Sequence, residues 1–95
     1  MAALNSTKAA KVREILQKYG KEYYGVHELS DVESKIVANP TEETINKCMD
    51  YLYNFGTLSF GYNSHLVNYP TTMTKDLAAN NIKFAMAEIR AVIAE

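Results

Sequence analysis

The Asn-Pro-Thr-Glu stretch at residues 39–42 constrains the fold most, because it predicts the end of one helix and the start of another. Asn is a favoured N-cap, Pro is favoured at the first helical position, and a Glu three residues after the cap completes a capping box. We therefore predict a helix from about Pro40 to Phe55, ended by Gly56. Its buried face is predicted to hold Ile45, Cys48, Met49 and Leu52.

Apolar residues at helical spacing predict two helices before this break. The first is expected to have Ser6 or Thr7 as its N-cap and to stop at Gly20. The second is shorter, and a capping box at Ser30 and Glu33 would mark a late start. The buried stripes are predicted to be Val12, Ile15, Leu16 and Tyr19 in the first helix, and Leu29, Val32 and Ile36 in the second.

A long helix is predicted at the end of the chain, with a cap among residues 72–74. Its main stripe is formed by Ile82, Ala85, Met86, Ile89, Val92 and Ile93. Phe84 lies off that stripe, and an exposed aromatic side chain is costly to leave in water. We therefore predict that this helix also contacts a second subunit in a symmetric dimer.

Two segments carry the signals of β-strands. The pair Tyr23-Tyr24 predicts a brief strand, since aromatic residues are enriched in strands. Residues 57–69 alternate, with Leu58, Phe60 and Tyr62 on one side and a turn signal at Asn63-Ser64. The second segment therefore predicts a β-hairpin.

The 95 residues leave room for one hydrophobic core, so we predict a single domain over residues 1–95. No apolar stretch has the length of a signal-peptide core or of a membrane span, which predicts a cytoplasmic protein, or a nuclear one in a eukaryote, without membrane association. Cys48 is the only cysteine and falls on a helical stripe, so a reduced core thiol is expected.

The near-neutral net charge of −1 hides a polarity along the chain. Residues 1–25 hold five Lys or Arg against two Glu, whereas residues 26–56 hold two Lys against six Asp or Glu. A phosphate-binding surface is therefore expected in the first segment.

The order helix, short extended segment, helix, tight turn, helix, hairpin, helix resembles that of the winged helix-turn-helix superfamily. The resemblance is carried by residues 12–16, 26–32, 44–52 and 56–58, and it covers roughly residues 7–69. It implies an α+β fold that is mainly helical, a winged helix with a short β-hairpin, followed by a long C-terminal helix over residues 72–95.

The same resemblance implies a small DNA-binding regulatory protein, because the third helix of such domains commonly enters the major groove of double-stranded DNA. The residues that would face the groove are Thr41, Thr44, Asn46, Lys47 and Tyr51, with Asn63, Ser64 and His65 at the wing tip. Phosphate contacts would come from the first helix, through Lys8, Lys11, Lys18 and Lys21 together with Arg13.

The chain departs from this pattern in its charges. Glu42 and Glu43 open the third helix, and the wing carries no Lys or Arg, so carboxylates would oppose the DNA phosphates. The alternative is a protein-interaction module, an inhibitor or an assembly adaptor, that binds its partner through Glu42, Glu43 and Phe84. We predict no enzymatic activity, no metal and no cofactor, because His27 and His65 lack ligand spacing and no catalytic motif is present.

Overall fold

A computed structural model describes residues 3–21, 23–54 and 72–95 of the chain, with side chains from residue 76 onward in the last range. These residues form four helices, α1 (Ser6–Gly20), α2 (Val26–Ala38), α3 (Glu42–Asn54) and α4 (Thr72–Ala94). Helix α1 packs against α4 and α2, and α3 also packs against both α4 and α2. The described part of the chain is therefore a four-helix arrangement with α4 as its longest element.

One core joins all four helices. Val12, Leu16, Val32, Ile36, Ile45 and Leu52 are almost completely buried, and α4 adds Ala78, Ile82, Ala85, Met86, Ile89 and Val92. The apolar stripes predicted from helical spacing are thus confirmed, except that Met49, Tyr19 and Ile93 are half-buried at the edge of the core. Cys48 lies in the core as a free thiol.

The start of α1 differs from the prediction, whereas its end agrees with it. Asn5, rather than Ser6 or Thr7, is the N-cap, and its Oδ1 accepts the backbone N–H of Lys8 at 2.8 Å. The helix ends at Gly20 as predicted, but without a left-handed conformation, because no glycine among the described residues has a positive φ. A Cβ at Gly20 would lie 2.9 Å from the Cδ2 atom of Leu29. The glycine therefore allows α2 to pack closely on the end of α1.

The prediction of a strand at Tyr23-Tyr24 is wrong. The backbone N–H groups of both tyrosines donate to the carbonyl of Gly20, at 3.0 and 2.9 Å, and so form a turn. Helix α2 then begins at Val26 with Gly25 as N-cap, so the predicted capping box lies inside the helix. The aromatic character of Tyr24 reflects burial in the core rather than strand formation.

The helix break at residues 39–41 is confirmed, but its cap is shifted by two residues. Asn39 ends α2, since its N–H donates to the carbonyl of Lys35 at 3.0 Å. Thr41 caps α3: its Oγ1 accepts the N–H of Thr44 at 3.2 Å, and its carbonyl accepts the N–H of Ile45 at 3.0 Å. An N-cap must immediately precede the first helical turn, and Asn39 is still bonded to α2.

The winged-helix prediction is also wrong, because the structure is all-helical and residues 3–21, 23–54 and 72–95 contain no strand. The predicted hairpin at 57–69 and the helix end at Gly56 lie outside the described residues. In place of a sheet, α4 packs directly on α1 and α3 and completes the core. The resemblance was based on the local order of elements, whereas the fold depends on the long-range packing of α4 on α1 and α3.

Candidate interaction surface

The basic side chains of α1 do not form one free cationic face. Lys11 binds Glu95 at 3.1 Å and Lys18 binds Glu88 at 3.5 Å, both at the antiparallel α4. Arg13 instead binds Glu33 of α2, with two nitrogens at 2.9 and 3.2 Å from the two carboxylate oxygens.

Two further lysines were predicted to contact phosphates. Lys8 is half-buried in the first turn of α1, and Lys21 is exposed just after the helix. The structure therefore places the five predicted phosphate-binding residues on different sides of α1, three of them against carboxylates.

The charged start of α3 is paired as well. Arg90 of α4 lies 2.7 Å from Glu42, and Lys47 lies 3.0 Å from Glu43 one helical turn away. Each carboxylate predicted to bind a basic partner therefore already has a cation beside it. Asn46 is exposed on the same helix.

The remaining groove residues predicted on α3 serve its local structure. Thr41 and Thr44 are half-buried at the cap, with their Oγ1 atoms 3.0 Å apart. Tyr51 is half-buried beneath Lys35, whose Nζ lies 5.1 Å from the ring centroid, and burial raises the pKa of the Tyr51 hydroxyl. The predicted wing-tip residues Asn63, Ser64 and His65 lie outside the described residues.

The side chains that carry reactive chemistry are dispersed. Burial raises the pKa of the Cys48 thiol, which disfavours the nucleophilic thiolate. No group of three His, Cys, Asp or Glu side chains within the described ranges is arranged to hold a metal ion.

The most distinctive surface is the side of α4 that faces away from the core. Leu77 is 52% exposed and Phe84 is 60% exposed, and the two residues lie seven apart on the same side of the helix. Exposed residues at the same helical spacing complete a stripe that we call the outer face of α4: Leu77, Asn80, Phe84, Ala87, Ala91 and Ala94.

The outer face of α4 carries no charge. Four charged residues of α4 with described side chains lie beside the stripe: Asp76, Lys83, Glu88 and Arg90. Glu88 is bound to α1 and Arg90 to α3, and Glu95, the residue after the helix, is bound to α1. A long helix with apolar exposed residues raises the question of membrane insertion. Within the described ranges, none of the helices combines the length and the apolar character needed to cross a bilayer.

Phe84 is held in place by contacts with α1. Its ring centroid lies 6.4 Å from that of Tyr19, in a tilted arrangement. The Tyr19 hydroxyl donates a hydrogen bond to Glu88, and the Nζ of Lys18 lies 4.8 Å from the Tyr19 ring centroid. The hydroxyl of Tyr19, together with the nearby Lys18 cation, lowers the pKa of Glu88. The exposed ring of Phe84 therefore contacts a tyrosine whose own position is fixed by Glu88 and Lys18.

Sequence reasoning singled out Phe84 but missed the stripe to which it belongs. The missed signal is the heptad spacing of Leu77, Phe84 and Ala91, with alanines between and beyond them. Because alanine occurs on both buried and exposed sides of helices, the exposed stripe can be recognised only after the buried stripe of α4 is known.

Comparisons of this chain with protein-family models, with curated proteins and with solved structures give no match.

Proposed function

We propose that this chain is a non-enzymatic protein-interaction module that binds its partner through the outer face of α4. The proposal depends on one observation, the exposure of Leu77 and Phe84 on an uncharged stripe. Contiguous exposed apolar surface with a polar rim is typical of protein-binding sites, because its burial removes apolar area from water.

The shape of the stripe suits a helical partner. The rise of an α-helix is about 1.5 Å per residue, so the stripe from Leu77 to Ala94 is about 26 Å long. Three of its six positions are alanines, which allow another helix backbone to approach closely. Phe84 is the natural anchor, since aromatic residues at the centre of an interface contribute most of its binding energy.

The ion pairs around the stripe supply a polar rim. Lys18 with Glu88 lies on the α1 side, and Arg90 with Glu42 lies on the α3 side. Interfaces commonly have such an arrangement, an apolar centre with charged residues at its border. These pairs would set the orientation of a partner more than its affinity.

The DNA-binding function stays a prediction that no observation here tests. It followed from the winged-helix resemblance, which the all-helical structure contradicts. Phosphates would also have to compete with the carboxylates already beside Lys11, Arg13, Lys18 and Lys47. The geometry therefore favours the protein-interaction alternative.

Within that alternative, Phe84 carries more weight than the acidic pair. Glu42 and Glu43 each have a cation within 3.0 Å, so a basic partner would gain less from them than from free carboxylates. The exposed aromatic ring has its contact with Tyr19 on one side and solvent on the other.

Photocrosslinking tests this function in cells that produce the protein. A benzoylphenylalanine is placed at position 84 and, as a matched control, at the exposed Asn46 of α3. We expect a discrete protein adduct from position 84 and none from position 46. The proposal is wrong if position 84 gives no adduct, most clearly if the chain also binds duplex DNA with an affinity that falls steeply with salt.

A further inference from the structure

We infer that the partner of the outer face of α4 is a second copy of this chain, with the two α4 helices antiparallel. The inference rests on the proposed function and names its partner. It follows from how side-chain size is distributed along the stripe.

The stripe has a large half and a small half. Its first three positions are Leu77, Asn80 and Phe84, and its last three are alanines, at positions 87, 91 and 94. The six positions follow the a and d spacing of a heptad, so they would form the seam of a helix pair. A seam of this kind must match volumes across the interface, because protein interiors are close-packed.

Only the antiparallel arrangement of two copies matches these volumes. In the register that overlays all six positions, Leu77 faces Ala94 of the second copy, Asn80 faces Ala91, and Phe84 faces Ala87. The two-fold axis repeats each pair, so every larger side chain meets an alanine. A parallel pair would place Phe84 against Phe84 and leave the alanines facing one another across a gap.

The residues beside the stripe favour this register on the α1 side and oppose it weakly on the α3 side. Asn81 and Glu88 lie on the α1 side of α4, and antiparallel pairing brings the amide of one copy near the carboxylate of the other. On the α3 side, Lys83 approaches Arg90 of the second copy, a like-charge contact that is weakened because the guanidinium of Arg90 is bound to Glu42. The stripe itself buries no charge, which avoids the main desolvation cost of association.

The length of the seam sets the expected affinity. A single helix pair of about 26 Å gives an interface at the lower end of specific complexes. We therefore expect a monomer–dimer equilibrium in the micromolar range rather than an obligate dimer.

Disulfide trapping tests the register. The single variants Asn80→Cys and Ala91→Cys, one of them carrying an affinity tag, are mixed in a glutathione redox buffer. Both positions are exposed, so neither change disturbs the core, and Cys48 is buried. The mixed disulfide should exceed either self-disulfide several-fold, because identical positions lie about 16 Å apart in this register.

Equal amounts of mixed and self-disulfides, or no disulfide, would overturn the inference. The mass of the photoadduct at position 84 distinguishes failure of the second-copy inference from failure of the proposed function. An adduct of two copies supports both, whereas an adduct with a different protein overturns the second copy and leaves the interaction module standing. No adduct overturns both.

Discussion

The two sides of α4 are both apolar, yet they meet opposite environments. Ile82, Met86 and Ile89 on the inner side are at most 2% exposed, whereas Leu77 and Phe84 on the outer face are more than half exposed. The inner side chains contact α1 and α3, and they define the fold. The outer face contributes little to folding within one chain. Helix α4 therefore stabilises the fold with its inner side and leaves its outer face available for association.

The largest expected effect comes from truncating the inner side. Ile89→Ala should lower the free energy of unfolding by about 2–5 kcal/mol, because it removes buried methyl groups and leaves a cavity. Phe84→Ala is the matched outer change and should cost about 1 kcal/mol or less, mainly through its contact with Tyr19. Urea denaturation measures both. Equal losses would show that the two sides of α4 do not differ in role.

A smaller effect is expected at the start of α3, the helix that packs on the inner side of α4. Thr41→Ala should lower the free energy of unfolding by about 0.5–2 kcal/mol, because its Oγ1 no longer accepts the N–H of Thr44. Asn39→Ala serves as the control and should cost clearly less. A larger loss at Asn39 in chemical denaturation would restore it as the cap.

Among the described residues, Tyr24 is a polar exception in the core. Tyr24 is almost completely buried, and its hydroxyl has no hydrogen-bond partner among the described residues. Tyr24→Phe should therefore raise the free energy of unfolding by about 1 kcal/mol, since an unsatisfied buried group is costly. A loss of stability in urea denaturation would mean that the hydroxyl has a partner.

Tyr24 also affects how the free energy of unfolding changes at alkaline pH. Burial raises the pKa of Tyr24, so its phenol ionises more easily in the unfolded chain than in the folded one. Its contribution to stability is complete below the ordinary tyrosine pKa of about 10 and is lost as pH rises through the folded value. The Tyr24→Phe variant should lose less stability than the wild type over that interval.

The smallest effect is expected at the rim of the outer face. The hydrogen bond from Tyr19 and the nearby Lys18 lower the pKa of Glu88. Its contribution to stability is present above the unfolded pKa and is lost as pH falls through the lower folded value. Between about pH 7 and about pH 3, Glu88→Gln should show a slightly flatter fall in urea midpoint than the wild type. Identical pH profiles would exclude this contribution.

The local features of the fold could be predicted from the sequence, and the long-range ones could not. Helical spacing predicted the buried stripes of all four helices, and the Asn-Pro-Thr-Glu stretch predicted the break between α2 and α3. The strand at Tyr23-Tyr24 was wrong because tertiary burial, rather than strand propensity, explains the aromatic residue. The winged-helix fold was inferred from the order of the elements, which does not report that α4 packs along α1.

The candidate site shows the same division. Phe84 was identified because it breaks the buried stripe of its own helix, which is a local observation. The ion pairs of α1 with the C-terminal helix region join residues that are far apart in the sequence. Lys18 and Glu88 are separated by 70 positions, and Lys11 and Glu95 by 84, so no local pattern reveals these pairs. The predicted phosphate contacts therefore looked like free cations in the sequence.

Sedimentation equilibrium of the wild type and of Phe84→Glu measures whether the outer face of α4 drives association, with urea midpoints measured on the same samples and Asn46→Glu as control. The wild type and the control should approach the dimer mass with rising micromolar concentration, whereas Phe84→Glu should stay monomeric, with a midpoint lowered only slightly by loss of the dimer and of the contact with Tyr19. A wild type that is monomeric throughout would overturn the dimer, and a Phe84→Glu variant that loses its fold as Ile89→Ala is expected to do would contradict the division of roles between the two sides of α4.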